Sequence, residues 1–321
     1  MGIYSLTSRR TWKFEHNEGE LNYTMSTNQQ RYNYFGFLYI APWLIGFLIF
    51  QLYPFFSSLY YSFTDLNLFR APRFIGFDNF IKIFTMDPDF YQSLKVTFIY
   101  VLYAVPAKLV MSLLIAMALN QKMRGINAYR AIYYLPSILG GSVAIAILWR
   151  TLFMNEGIVN KCIAFFHIPP VNWLGDPATS LFTISLLTVW QFGSSMVLFL
   201  AGLKQIPQEL YEAGTVDGAS KLRMFFCITI PQLTPILFFN LIMQMINAFQ
   251  EFTAAFVVTN GGPLKSTYLY GLMIYQNGFQ YMKMGYASAL SWVLFGVIML
   301  FTGLIFRTSS SWIHYEDGGN F

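Results

Sequence analysis

Four polar side chains recur on one apolar stretch of this 321-residue chain: Asn240, Gln244, Asn247 and Glu251. Their steps of four, three and four place all of them on one face of a helix, with Gln250 off the stripe. Carboxamides and a carboxylate together supply hydrogen-bond donors and acceptors. Such a face can therefore bind a hydroxyl-rich solute or tie helices together. Lys108 is a second polar residue out of place, mid-run behind Pro106. An ammonium there costs roughly 2.5–3.5 kcal/mol on insertion scales unless it is paired or wet. A counter-ion on a partner chain is the favoured explanation. If Lys108 instead lines a path, it would favour an acidic solute, whereas Glu251 argues for the opposite, so charge preference stays open. Trp190 and Gln191 could stack on and hydrogen-bond a sugar, or simply pack.

The elements that must hold these residues are read from composition. Hydrophobic residues make up 55% of the chain and charged residues 11%, against roughly 25% charged in a soluble domain. A water-soluble core could not use that much apolar surface without leaving large patches exposed. The 33 Phe, 21 Tyr and 7 Trp suit interfacial anchoring. Apolar runs at about 34–56, 95–119, 130–151, 180–203, 231–259 and 286–307 each have roughly the 20 residues needed to cross the hydrocarbon as a helix. Six transmembrane helices are predicted, an all-α integral membrane protein, with kinks at Pro42, Pro106 and Pro136.

Orientation is read from the basic residues. With the N-terminus inside, inner segments hold Arg9, Arg10, Lys13, Arg31, Lys122, Arg124, Arg130, Lys204, Lys221, Arg223 and Arg307. Outer segments hold Arg70, Arg73, Lys82, Lys95, Lys161, Lys265 and Lys283. Eleven against seven predicts cytoplasmic termini: a segment 1–33, a six-span domain 34–307 and a tail 308–321. Arg150 snorkels near the outer end of the third span. The scattered charges read as topology signals and not as a nucleic-acid surface. Residues 1–33 lack an apolar run with a small-residue cleavage site, so no removable signal peptide is expected; Met25 is a second possible start. Cys162 and Cys227 fall on opposite sides of the membrane, which excludes a bridge between them.

The loop 204–230 is the most informative segment. Pro207 suits the first position of a helix, and Glu209 and Glu212 occupy its first turns, where the dipole favours anions. Ala213, Gly214, Gly218 and Ala219 leave part of that helix nearly bare, so that another surface can approach it. A connector that merely contains glycine is almost as consistent with these residues alone.

Glu212-Ala213-Gly214, three residues, Gly218, nine residues and then Ile228-Thr229-Ile230-Pro231 resemble the cytoplasmic signature of ABC importer permeases: Glu-Ala-Ala, three residues, Gly, nine residues, Ile-x-Leu-Pro. Gly214 replaces Ala and Ile230 replaces Leu, and Gly214 should loosen the helix. Tyr53-Pro54, Tyr61-Ser62-Phe63-Thr64-Asp65, Gly76-Phe77-Asp78-Asn79-Phe80 and Thr259-Asn260-Gly261-Gly262-Pro263 resemble sugar-importer permeases of the maltose and glycerol-phosphate type. The long outer domain of the maltose-type large subunit is missing, so six-span relatives handling other glycans are the nearer likeness.

The resemblance implies the type I ABC importer permease fold in a bacterial cell membrane. It makes the loop a coupling helix that inserts into an ATPase subunit, with Glu212, Ala213, Gly214 and Gly218 as coupling positions, Asp217 in support, and Ile228 and Pro231 closing the motif. Implied partners are a second permease, two subunits that bind ATP and Mg, and an extracytoplasmic solute-binding protein delivering an oligosaccharide, neutral or of an acidic alginate or pectin type. In the maltose-type relative, positions matching Gln244 and Glu251 contact sugar; Asn240 and Asn247 extend that assignment. This chain has no Gly-x4-Gly-Lys-Ser/Thr loop, so no cofactor is expected in it. A polytopic membrane enzyme is the alternative from another class, but His16, His167 and His314 are far apart and no HExxH or GxSxG motif occurs. A secondary transporter would carry inverted repeats and leave the 212–231 pattern unexplained.

Overall fold

The computed structural model describes residues 38–67, 69–121, 124–309 and 311–313. Arg9, Arg10, Lys13, Arg31, Lys122, His16, His314, the segment 1–33 and most of the tail lie outside the described residues. The chain divides into two compact units, Met1–Phe56 and Ser57–Phe321, and the first helical span, α1 (Leu38–Ser62), is shared between them. In the first unit the described residues are helical and none is buried. Trp43 stacks on Phe47 at 5.6 Å. A wider π turn, Leu48–Leu52, precedes Pro54, whose ring would otherwise press on the carbonyl four residues back.

The second unit is built on α3 (Pro88–Leu119), an unbroken helix of 32 residues that passes through Pro106. At 1.5 Å per residue it is about 48 Å long, so its ends reach beyond the roughly 30 Å of hydrocarbon. Asp87 caps its N-terminal end by accepting from the Asp89 amide at 3.0 Å. Its buried side chains include Phe90, Ser93, Thr97, Tyr100, Ala104, Lys108, Ser112, Ala116 and Leu119, a stripe in steps of three and four, flanked by Val96 and Val105. Against it pack α7 (Pro177–Trp190), α8 (Gly193–Gln205), α10 (Lys221–Phe249) and α12 (Tyr270–Tyr275). One apolar cluster gathers on the N-terminal part of α3 from Phe90 to Val105, and a second at Ala116 and Leu119 with Phe199 and Leu233. Lys108 and Ser112 fall between the two.

Among the described residues four long apolar helices are unbroken, α1, α3, α10 and α13 (Met284–Ser309), while α2 (Asp78–Thr85) and α6 (Ile158–Ala164) are short. Two further spans are bent pairs, α4 (Ile126–Leu139) with α5 (Val143–Leu152) at 100°, and α7 with α8 at 48°. Counting each pair once gives six spans, as expected. Their interiors differ from the sequence reading in three places. Pro136 lies inside α4, and the chain breaks instead at Gly140-Gly141-Ser142, where Ser142 accepts from the Ile145 amide to start α5. The fourth span breaks at Gln191-Phe192. The fifth was expected over 231–259; α10 starts ten residues earlier and stops at Phe249, after which a separate π turn, α11 (Ala255–Thr259), follows.

Close approach at Gly285 locks the start of α13 to the chain after α1. Its amide donates to Leu66 O at 3.0 Å. A methyl group there would overlap the Thr64 carbonyl and lie 2.9 Å from the Leu66 nitrogen, both backbone atoms that cannot rotate aside. Gly285→Val is expected to destabilise the detergent-solubilised protein by about 1–3 kcal/mol, the usual cost of overpacking. Gly296→Ala, with open space around it, should leave the melting temperature unchanged.

Candidate functional site

The two breaks in the membrane helices are joined. Ending α7 at Gln191 frees backbone groups in a region where no water can take them up. The Ser137 hydroxyl on α4 donates to Gln191 O at 3.1 Å and accepts from the Ser194 amide at 2.9 Å. The Ser112 hydroxyl on α3 lies 3.0 Å from Phe192 O and 2.6 Å from Lys108 O, with one proton to share. The Gln191 carboxamide reaches back to Gly140 O at 2.9 Å, the carbonyl at the other break. Gly193 permits this closeness, because a Cβ there would lie 2.9 Å from Tyr133 O and Tyr134 Cα.

Beside this junction lies a cavity of about 220 Å³, lined by Lys108, Ser137, Thr188, Gln191, Ser194, Gln244, Asn247, Ala248 and Glu251. Five elements contribute: α3, α4, α7 with α8, and the end of α10. Its walls hold two opposite charges among hydroxyls and carboxamides, which suits a solute rich in hydroxyl groups. Glu251 sits just past α10 and accepts from the Ala254 amide at 2.9 Å, holding the entry to the next helical turn. Thr188 meets the Tyr100 hydroxyl, tying the cavity wall to the core of α3.

Of the seven residues expected on a path, the structure brings Lys108, Gln191, Gln244, Asn247 and Glu251 together. It does not bring Asn240 or Trp190. Asn240 is fully buried; its Nδ2 donates to Ile236 O at 3.1 Å, and its Oδ1 has no partner among the described residues. The Trp190 ring packs 6.2 Å from Trp149 against the apolar core. Lys108, expected to seek a partner chain, is 7% exposed and faces the cavity. The sequence reading missed Ser137, Thr188 and Ser194. Only Ser194 carried a signal, as Gln191-Phe192-Gly193-Ser194-Ser195 inside an otherwise apolar run; Ser137 and Thr188 carried none.

The loop 204–230 forms α9 (Gln208–Val216) and the first turns of α10. Pro207 is the cap residue, one position earlier than expected. Gly218 is not in a helix interior. It stands beyond the end of α9 at φ +72°, and Ala219 N donates to Gly214 O at 2.9 Å while Gly218 N donates to Thr215 O at 3.1 Å. That is a Schellman ending, which needs a left-handed residue where glycine stands. Gly214 does not leave a bare face either: a Cβ there would sit 3.3 Å from Ile228 Cδ1 and 3.4 Å from Met224 Cγ, so α9 packs closely on α10. Tyr211 and Thr229 hydroxyls bond at 2.9 Å. A π turn, Phe225–Thr229, precedes Pro231 as another precedes Pro54. Glu212, Ala213, Asp217 and Gly218 are exposed, and Val216 beside them is 88% exposed.

A more open cleft of about 330 Å³ includes Asp87, Asp89, Lys265, Tyr268 and Tyr281. Lys265 pairs with Asp89, and Tyr286 donates to Asp87 at 2.6 Å. Burial, then the charge of Asp89, pushes the Tyr268 phenol well above its ordinary value. Among the described residues no group of three or more His, Cys, Asp and Glu could hold a metal ion.

Residues 88–314 match the family described as the binding-protein-dependent transport system inner membrane component. A probable ABC transporter permease protein, YesP of Bacillus subtilis (strain 168), is 51% identical over 288 residues, covering 89% of this chain and 93% of that protein. The trehalose/maltose transport system permease protein MalF of Thermococcus litoralis is 32% identical over 270 residues, covering 83% and 90%. Two crystal structures of bacterial alginate ABC transporters, one in complex with an alginate pentasaccharide-bound periplasmic protein, share the fold. Both give a TM-score of 0.76, at 22% and 21% identity, covering 88% of this chain and 97% and 96% of theirs. The chain thus belongs to the binding-protein-dependent transport system inner membrane component family and has the type I ABC importer permease fold: it is a membrane-embedded permease, a transport component and not an enzyme.

Proposed function

We propose that this chain forms half of the translocation path of an ATP-driven importer for an oligosaccharide. The carrying observation is the 220 Å³ cavity at the junction of two helix breaks, where Gln191, Gln244, Asn247, Ser137, Ser194 and Thr188 converge with Glu251 and Lys108. Sugar hydroxyls both donate and accept, and hydroxyl and carboxamide walls match them without requiring fixed charge. The relatives' names, among them one for trehalose and maltose, support a saccharide class. The alginate transporter in complex with a periplasmic protein supports delivery by an extracytoplasmic solute-binding protein.

In this reading a second permease completes the pore and two ATPase subunits bind ATP and Mg, so the chain itself needs no cofactor. Both termini face the cytoplasm, in a bacterial cell membrane. α9 is the coupling helix, offering Glu212, Ala213, Asp217 and Val216 to an ATPase subunit, with Gly214 and Ile228 seating it on α10 and Gly218 ending it. Closure of the ATPase pair moves α9, the Tyr211–Thr229 bond and the Gly214 contact carry that movement to α10, and α10 carries it to Gln244 and Asn247. The cavity opens outward beneath a loaded binding protein, and hydrolysis returns it to face inward.

Gln244→Ala and Glu251→Ala should each lower saccharide uptake about fivefold or more, in keeping with one or two lost hydrogen bonds at roughly 0.5–1.5 kcal/mol each. Membrane levels and subunit co-purification should be unchanged; unchanged uptake would make the lining structural. Gly218→Trp forces a bulky residue into the left-handed region and should abolish both uptake and substrate-stimulated ATPase while the protein still inserts, and normal coupling in that variant would sink the role given to α9. For orientation, exposed Cys162 and Cys227 provide a direct assay. A membrane-impermeant maleimide applied to spheroplasts should label Cys162 and spare Cys227 until the cells are broken; the reverse pattern would invert the topology.

A further inference from the structure

We propose that Lys108 is the charge-selective contact of the cavity and that the saccharide it admits carries a carboxylate. The inference rests on reading the cavity as the sugar path and adds to it the ligand's charge. Lys108 lies on the buried stripe of α3, between its two apolar clusters, at 7% exposure. A buried ammonium is unfavourable in a membrane unless something on the path answers it. No carboxylate of the described residues lies within 4.0 Å of it; the ion pair among them joins Lys265 and Asp89, at the other cleft. The carboxylate on the same cavity, Glu251, acts on it only through space, from beyond 4.0 Å, and its Oε1 accepts from the Ala254 amide at 2.9 Å.

The remaining polar groups on the wall, Ser137, Thr188, Gln191, Ser194, Gln244 and Asn247, are neutral. They are sufficient for hydroxyls, and a neutral sugar would use them and leave the ammonium without a direct charged partner. A uronate answers it with a charge-assisted hydrogen bond, about twice as strong as a neutral one. Glu251 then repels the acid group and accepts from hydroxyls, so the two charges orient the ring with its carboxylate at Lys108. A charge at this depth is also screened less by salt than one on the surface.

The test uses the complete transporter in cells and measures uptake of a trisaccharide of galacturonic acid or of mannuronic acid, each against its methyl ester. Wild type, Lys108→Gln and Lys108→Arg are compared at equal binding-protein levels, so that any change in the acid-to-ester ratio reports on the permease. Lys108→Gln should lower that ratio about tenfold, and Lys108→Arg should restore most of it. An equal fall for acid and ester, or wild-type uptake confined to neutral saccharides, would overturn the assignment. Loss of co-purification with the other subunits in Lys108→Gln would overturn it too, by showing the lysine to be an assembly contact. Gln244→Ala run in parallel separates the two readings: reduced uptake of both forms there, with an unaltered ratio in Lys108→Gln, leaves the path in place and removes only the role of Lys108.

Discussion

A carbonyl released from a helix inside the bilayer has no water to accept from, and the inner organisation of this protein follows from where such carbonyls are answered. At the α7/α8 break, Gln191 O is met by Ser137 and Phe192 O by Ser112. The Gln191 side chain answers the α4/α5 break in return, at Gly140 O. These three bonds require α3, α4 and the α7/α8 elbow to meet at one depth. Irregular backbone cannot pack as densely as regular helix, so a polar cavity opens at the place where the breaks are reconciled. The cavity-lining residues are consequently gathered by the repair of the backbone itself.

A different logic governs the far end of α10. Here nothing is broken: α9 closes on its own hydrogen bonds, Gly214 sits against Met224 and Ile228, and Tyr211 reaches Thr229. The π turn at Phe225–Thr229 makes room for Pro231 without ending the helix. One continuous helix then connects that region with Gln244 and Asn247. At 1.5 Å per residue its 29 residues span about 43 Å, which spans the membrane with length to spare.

Hydropathy was enough to find the spans, because six runs of roughly twenty apolar residues have few alternatives. The stripe on α10 was legible for the same reason, since steps of three and four admit only one helical face. Its two ends came out differently. Asn240 shares the face yet is sealed by neighbours, whereas Glu251 lies two residues beyond Phe249, the end of the helix, and still reaches the cavity. The breaks were hidden because Gly140-Gly141-Ser142 and Gln191-Phe192-Gly193 are tolerable inside a helix, and only contacts with other helices decide that they end one. Prolines drew attention to the wrong places: Pro106 and Pro136 are accommodated, while neighbouring glycines and serines carry the bends. Ser137 and Ser112 left no signal, since a serine that bonds a carbonyl on its own helix and one that bonds a carbonyl across an interface read alike.

The closed end of α9 has a thermodynamic consequence. A segment that is disordered until it meets its partner must give up its conformational freedom at that moment, and the loss weakens the contact. Here the turn at Gly218 and the seat against Met224 and Ile228 remove that freedom during folding. In the proposed coupling role, a partner would therefore meet a preorganised shape, and the contact would release and re-form without a cycle of melting and ordering.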